Sequence, residues 1–116
     1  MLKPKATSLQ TYTDGWGSSW AVSDRRLTEE KQHIIHYADW TVGVRRYWEA
    51  MIAGTQIKRA ILVPERSQIT EGDIFIDSDG TQFEVKQVDR KDTRPVSLLV
   101  SLASAQVHYR RRQDGD

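Results

Sequence analysis

A chain of 116 residues with a formal net charge of +1 fits a single domain, and its near balance of charge lacks the strongly basic face of a dedicated nucleic-acid binder. With no cysteine it has neither a disulfide framework nor a thiolate site, and with no apolar run near about 18 residues it offers no membrane-spanning helix. Apolar residues make up 38%, which limits the core, although four Trp enlarge it because each can bury roughly 150–250 Å².

The N-terminus, MLKPKATSLQ, has no apolar leader segment, and Pro4 discourages a regular start, so a frayed end of an unsecreted, soluble protein is expected. Residues 8–13 alternate and predict a first strand. Asp14-Gly15-Trp16-Gly17 is turn chemistry, since both glycines tolerate positive φ. Residues 18–26 are ambiguous, with Trp20 and Val22 alternating before the polar Asp24-Arg25-Arg26. Residues 27–39 support two incompatible readings. Thr28, Glu29 and Glu30 resemble a helix N-terminus, whereas His33-Ile34-Ile35-His36-Tyr37 has the β-branched and aromatic content of a strand. The strand is favoured, over about 31–37.

Residues 41–45 read as another strand. Residues 46–53 carry the helix formers Glu49, Ala50 and Met51 and are followed by Gly54 as a C-terminal cap, which predicts one short helix. Ile57, Ile61 and Val63 share one side of the next strand, with Ala60 and Leu62 on the other, and Pro64 ends it. Ile69 is expected to point inward from a polar connection. Ser78-Asp79-Gly80, between the alternating segments 73–77 and 81–88, is the strongest local hairpin signal. Val88 falls out of phase with Phe83 and Val85, which predicts a bulge near Lys86-Gln87. After a charged loop at 89–95, Val96, Leu98, Val100 and Leu102 line one face of a final strand. Residues 104–116 read as a polar tail, leaving a compact core over about 7–103 of a single domain spanning 1–116.

No arrangement of catalytic groups emerges, so no enzyme activity, metal or cofactor is expected. His33-x-x-His36-x-x-Asp39 is the only metal-like spacing, but residues three apart on a regular strand face opposite ways. Asp73, Asp77 and Asp79 do not match the calcium-loop template. The charges are nevertheless segregated. Residues 65–84 hold six acids against Arg66 alone, and residues 45–59 hold four bases against Glu49 alone. This suggests that the acidic segment of one subunit meets the basic segment of the next, through Glu71, Asp73 and Asp77 on one side and Arg45, Arg46, Lys58 and Arg59 on the other. Trp16, Trp20, Trp40 and Trp48 are expected in the core or at subunit interfaces, where Trp is enriched. Arg45-Arg46-Tyr47-Trp48 is the one place where aromatic and basic residues interleave, as in an OB-like module for single-stranded nucleic acid. Arg110, Arg111 and Arg112 offer a contact for nucleic acid or an acidic neighbour.

The order TVGVRRYWEAM, a strand ending in VPER, ITEGDIFIDSDGTQFEVKQV and then PVSLLVSLA resembles the small head-closure proteins of tailed bacteriophages, also called head–tail connector, stopper or adaptor proteins. The likeness covers about residues 31–103 and rests on the strand-to-helix step at 44–53, Ile69 with Asp73, and Gly80 with Phe83 and Val85. It implies a mainly β fold, a small barrel or sandwich of about six or seven strands with one short helix and flexible termini. It also implies a ring in the virion below the portal, assembled in the bacterial cytoplasm. Such a ring contacts copies of itself, the portal, the tail-completion protein and the packaged DNA. Residues 18–30 and the arginine tail have no counterpart in that pattern.

Overall fold

The computed structural model describes residues 9–40 and 57–111, which form seven strands of one sheet, with no helix among the described residues. The strands are β1 (Gly15–Ser23), β2 (Arg26–Asp39), β3 (Arg59–Pro64), β4 (Ile74–Asp77), β5 (Gln82–Lys91), β6 (Ser97–Ser104) and β7 (Arg110–Arg111). The strand expected at 41–45, the helix expected at 46–53 and Trp48 lie outside the described residues. β1 pairs antiparallel with β2 on one edge and with β4 on the other. The succession β1-β4-β5-β6-β3-β2 therefore returns to its first strand, and every pairing in it is antiparallel. Only the short β7 joins in parallel, at the far end of β2.

The core face collects Ile35, Tyr37, Ile61, Val63, Phe75, Phe83, Val85, Val100 and Leu102, and Ile69 enters from the 65–73 connection as expected. β3 and β6 are buried on both sides. Ala60, Leu62 and Leu99 form a second cluster with Ala38 on the outer face, against which Tyr12 and Trp40 pack. A third cluster joins Trp20, Leu27 and Ile74, flanked by Val22, Ile76 and Tyr109. The Asp79-Gly80 turn closes β4 onto β5, with Gly80 at φ 91° and its N–H donating to the Asp77 carbonyl at 2.8 Å. The predicted bulge is present as a register shift between Val85 and Gln87, and beyond it Val88 returns to the core.

The first third of the chain differs from its reading. Residues 9–13 are not a strand, and Gly15-Trp16-Gly17 opens β1 instead of forming a turn. These glycines serve close packing. A Cβ on Gly15 would run into the Tyr37 ring, and one on Gly17 would lie 2.6 Å from the Ile76 carbonyl oxygen and 2.8 Å from Phe75 Cε2. The turn lies at Asp24-Arg25, both left-handed at φ 52° and 63°, a conformation suited to a two-residue hairpin loop. β2 then runs far longer than the segment expected for it. Three register shifts against β1 each place one extra residue on β2, so it bends and twists against a straighter partner. The C-terminal segment is not a loose tail throughout. Gln82 bonds the Tyr109 N–H and carbonyl through its amide, at 2.7 and 2.9 Å, and β7 follows directly.

Candidate functional site

Arg59 stands where the C-terminal ends of β2 and β4 meet the start of β3. Its Nη1 donates to Asp77 Oδ2 at 2.9 Å, and its Nη2 donates to the Tyr37 hydroxyl at 2.8 Å and to Asp39 Oδ1 at 3.1 Å. The guanidinium carbon lies 4.8 Å from the Tyr37 ring centroid and 5.9 Å from that of Phe83, within cation–π range. Tyr37 in turn donates its hydroxyl proton to Asp77 Oδ1 at 2.9 Å, and Asp14 Oδ2 accepts the Asp39 N–H at 2.8 Å. Burial draws the Arg59 pKa down, but the bonds to Asp77, Asp39 and Tyr37 outweigh it and leave the group above its ordinary value. Burial, then the bond to Asp77, raises the Tyr37 phenol. This network fixes a permanent cation among carboxylates. It ties three strands and the residue preceding β1 together.

A second polar network lies at the entry to β4. Lys31 Nζ donates to Asp73 Oδ2 at 2.8 Å and to Thr70 Oγ1 at 3.0 Å, and the same carboxylate oxygen accepts the Thr70 N–H at 2.8 Å. Ser19 donates to the Gln68 carbonyl at 2.7 Å, while the Gln68 N–H donates to Gln32 Oε1 at 2.8 Å. These bonds hold the 65–73 connection against β1 and β2 and seat Ile69. Asp73 is buried here because Lys31 neutralises it locally.

The residues expected at subunit contacts thus have distinct fates. Arg59 and Asp77, placed on opposite partners by charge segregation, meet within one chain, because the closed run of strands brings β3 and β4 to the same end. Asp73 is engaged by Lys31, whereas Lys58 and Glu71 are exposed. Arg110 is exposed on β7, beside Arg111. Arg45, Arg46, Tyr47, Trp48 and Arg112 lie outside the described residues. Among the described residues no group of three His, Asp or Glu is placed to hold a metal ion, and His33 Nδ1 instead lies 2.9 Å from Glu30 Oε2.

No resemblance to a known protein resolves the matter. Comparison with family models, curated proteins and solved structures finds no match to this chain.

Two surface features were missed in sequence. The first is the edge of β2 that faces away from β1. β7 pairs there at Arg26 and Leu27, and β3 pairs there at Ala38 and Asp39. Among the described residues no strand pairs with that edge between those points. Ile34 on β2 is 44% exposed and Trp16, across the ladder on β1, is 41% exposed, unusually so for large apolar side chains. Trp16 lies opposite the exposed His36 in register. The second feature is the β1–β2 tip, where β7 sets Arg110 opposite Arg26, the residue that follows the Asp24-Arg25 turn. Alternating apolar residues could not reveal either feature, since both arise where register shifts break the alternation. The Asp at position 24 was the one usable signal, because Asp tolerates a left-handed backbone better than most residues.

Proposed function

We propose that this chain is a structural subunit of a tailed-phage neck. Its strands close as a small β-barrel, and copies of it form a ring below the portal that retains packaged DNA and receives the tail-completion protein. The stretch of β2 edge that no described strand pairs with is the observation that carries this reading. A long strand edge with unpaired backbone donors and acceptors invites an added strand, and proteins that do not use such an edge usually shorten or cover it. Here, among the described residues, the edge continues unpaired between the β7 and β3 pairings and carries the exposed Ile34. A neighbouring subunit that adds a strand there would cover Ile34 and stabilise each barrel by mass action.

The phage setting itself comes from the order of segments in the sequence, and the charge-tied ends of the barrel suit a part made for contact. The test is assembly. Purified chain mixed with its portal should give a discrete ring-on-portal complex by electron microscopy. Substituting Ile34→Lys and Trp16→Glu on the exposed strip should abolish the complex while leaving the thermal transition of the isolated chain near its original temperature. If the isolated chain stays monomeric beside portal and binds single strands with steep salt dependence, the OB-like alternative replaces the neck reading.

A further inference from the structure

We propose that residues 105–111 are a latch that fixes the angle of a movable arm, the outer part of the β1–β2 hairpin, and that Gln82 is its catch. Among the described residues, β1 pairs with β4 over residues 17–20 and β2 pairs with β3 at Ala38 and Asp39, and no strand from β3 to β6 pairs with residues 21–29. This length of hairpin therefore runs on beyond the sheet that roots it. Its own ladder is interrupted at the root. All three register shifts fall within residues 17–22, and each replaces a regular pair with an extra residue on β2 that bends the strand.

The segment after β6 ties the arm to the sheet. Tyr109 joins the third cluster, where Val22 and Leu27 of the arm meet Ile74 and Ile76 of β4. β7 then adds two parallel pairs, Arg110 with Arg26 and Arg111 with Leu27. Both contacts depend on Gln82, the first residue of β5. Its carbonyl accepts the Ala105 N–H at 3.3 Å, and its side-chain amide accepts the Tyr109 N–H at 2.7 Å and donates to the Tyr109 carbonyl at 2.9 Å. Gln82 is itself held by its pairing with Ile76 on β4. One residue of the sheet thus binds three backbone groups of the segment.

A permanent seam would spread its bonds over several partners, whereas turning one amide side chain away from Tyr109 removes two of these three. The described ladder of β7 is two parallel pairs, the weaker kind of strand pairing. Tyr109 is only half-buried, and Val107 and His108 before it are exposed. The segment therefore lifts more readily than any longer strand of the sheet, and elements that move are drawn from such low-stability parts. Seated, it holds the Asp24-Arg25 turn at one angle to the sheet. Lifted, it leaves the arm to pivot on the interrupted ladder at its root. This inference stands apart from the neck reading, since it holds or fails on the isolated chain without portal.

The test uses the full chain, which has no cysteine, so a pair of spin labels can be placed without background. Ser23→Cys on the arm and Arg90→Cys on β5, both at exposed positions, report the arm's angle as a distance between labels. With Gln82 in place the distance distribution should be single and narrow. Gln82→Glu keeps the side-chain shape, but a carboxylate cannot donate to the Tyr109 carbonyl, so the distribution should broaden and gain a second population. Tyr109→Ala should do the same. In hydrogen exchange of these variants, amides of residues 21–29 should exchange about tenfold faster while those of β3 and β6 stay unchanged, which separates an opened latch from a lost fold. An unchanged distribution in both variants would overturn the latch, as would a broad one in the otherwise unaltered chain. So would arm and sheet losing protection together, or full release on removing residues 112–116 with Gln82→Glu silent.

Discussion

The two ends of the chain build the same sheet by different rules. From β3 to β6 the strands pair in regular antiparallel register, the β4–β5 turn places Gly80 at its left-handed position, and a single register shift separates Val85 from Gln87. The β1–β2 hairpin breaks register three times, turns on two non-glycine residues and uses its glycines inside a strand. The first region is specified by the hydrophobic period, because each side chain's face follows from its parity. The second is specified by fit. Each extra residue on β2 reverses the parity of everything beyond it. Ile35 and Tyr37 consequently reach the core face, while Leu27, earlier in the same strand and on the far side of the three shifts, joins the third cluster with Trp20.

The sharpest way to probe this contrast is to remove packing from the regular region first. Phe75 is fully buried and meets the Tyr37 ring edge-on with centroids 5.9 Å apart, so it couples the two regions. Phe75→Ala should destabilise the fold by about 3–5 kcal/mol, read from the denaturant midpoint. The hairpin should respond to the opposite change. Gly17→Ala introduces a methyl group against the Ile76 carbonyl and the Phe75 ring, and a backbone oxygen cannot rotate away. A loss of about 1–3 kcal/mol is expected. The double variant is the more telling one. Truncating Phe75 removes part of the obstruction, so the two losses should sum to less than their separate values, and full additivity would show that Gly17 is not there for Phe75.

This contrast also sets how much could be read from residues alone. The hairpin at Asp79-Gly80, the bulge at 86–87, the inward Ile69 and the two-sided strand at 60–63 were legible, because each is a local pattern with one physical cause. The long β2 was not, since three insertions erase its period and leave Thr28-Glu29-Glu30 looking like a helix start. The Arg59 network was hidden for another reason. Its members stand at positions 14, 37, 39, 59 and 77, and only the closure of β1 onto both β2 and β4 brings them to one end. The arginine tip was half visible, as a basic tail with no stated partner.

That network should show in the response to alkali. Tyr37 has a raised pKa in the folded protein, so the folded state holds its proton more tightly than the unfolded chain does. The resulting stabilisation is fully present below the unfolded value near 10 and is lost as pH rises through the folded value. Tyr37→Phe should therefore cost about 0.5–1.5 kcal/mol at neutral pH, with the deficit relative to the unaltered chain shrinking above about pH 10. Melting temperatures of both proteins across that range would check the sign. A deficit that grows with pH would mean that the phenol is not the proton donor to Asp77.

The smallest effect expected lies in the β1–β2 turn. Arg25 occupies a backbone conformation that glycine adopts freely, and Asp-Gly is the preferred pair for such a two-residue turn. Arg25→Gly should therefore stabilise the hairpin, by roughly 0.4–1 kcal/mol after allowing for glycine's greater entropy in the unfolded chain. The β4–β5 turn already has glycine at its left-handed position, Gly80, so it has no equivalent gain available, and Gly80→Arg should lose stability by a similar amount. Stability that falls on this substitution would mean that Arg25 makes a tip contact worth more than its strain.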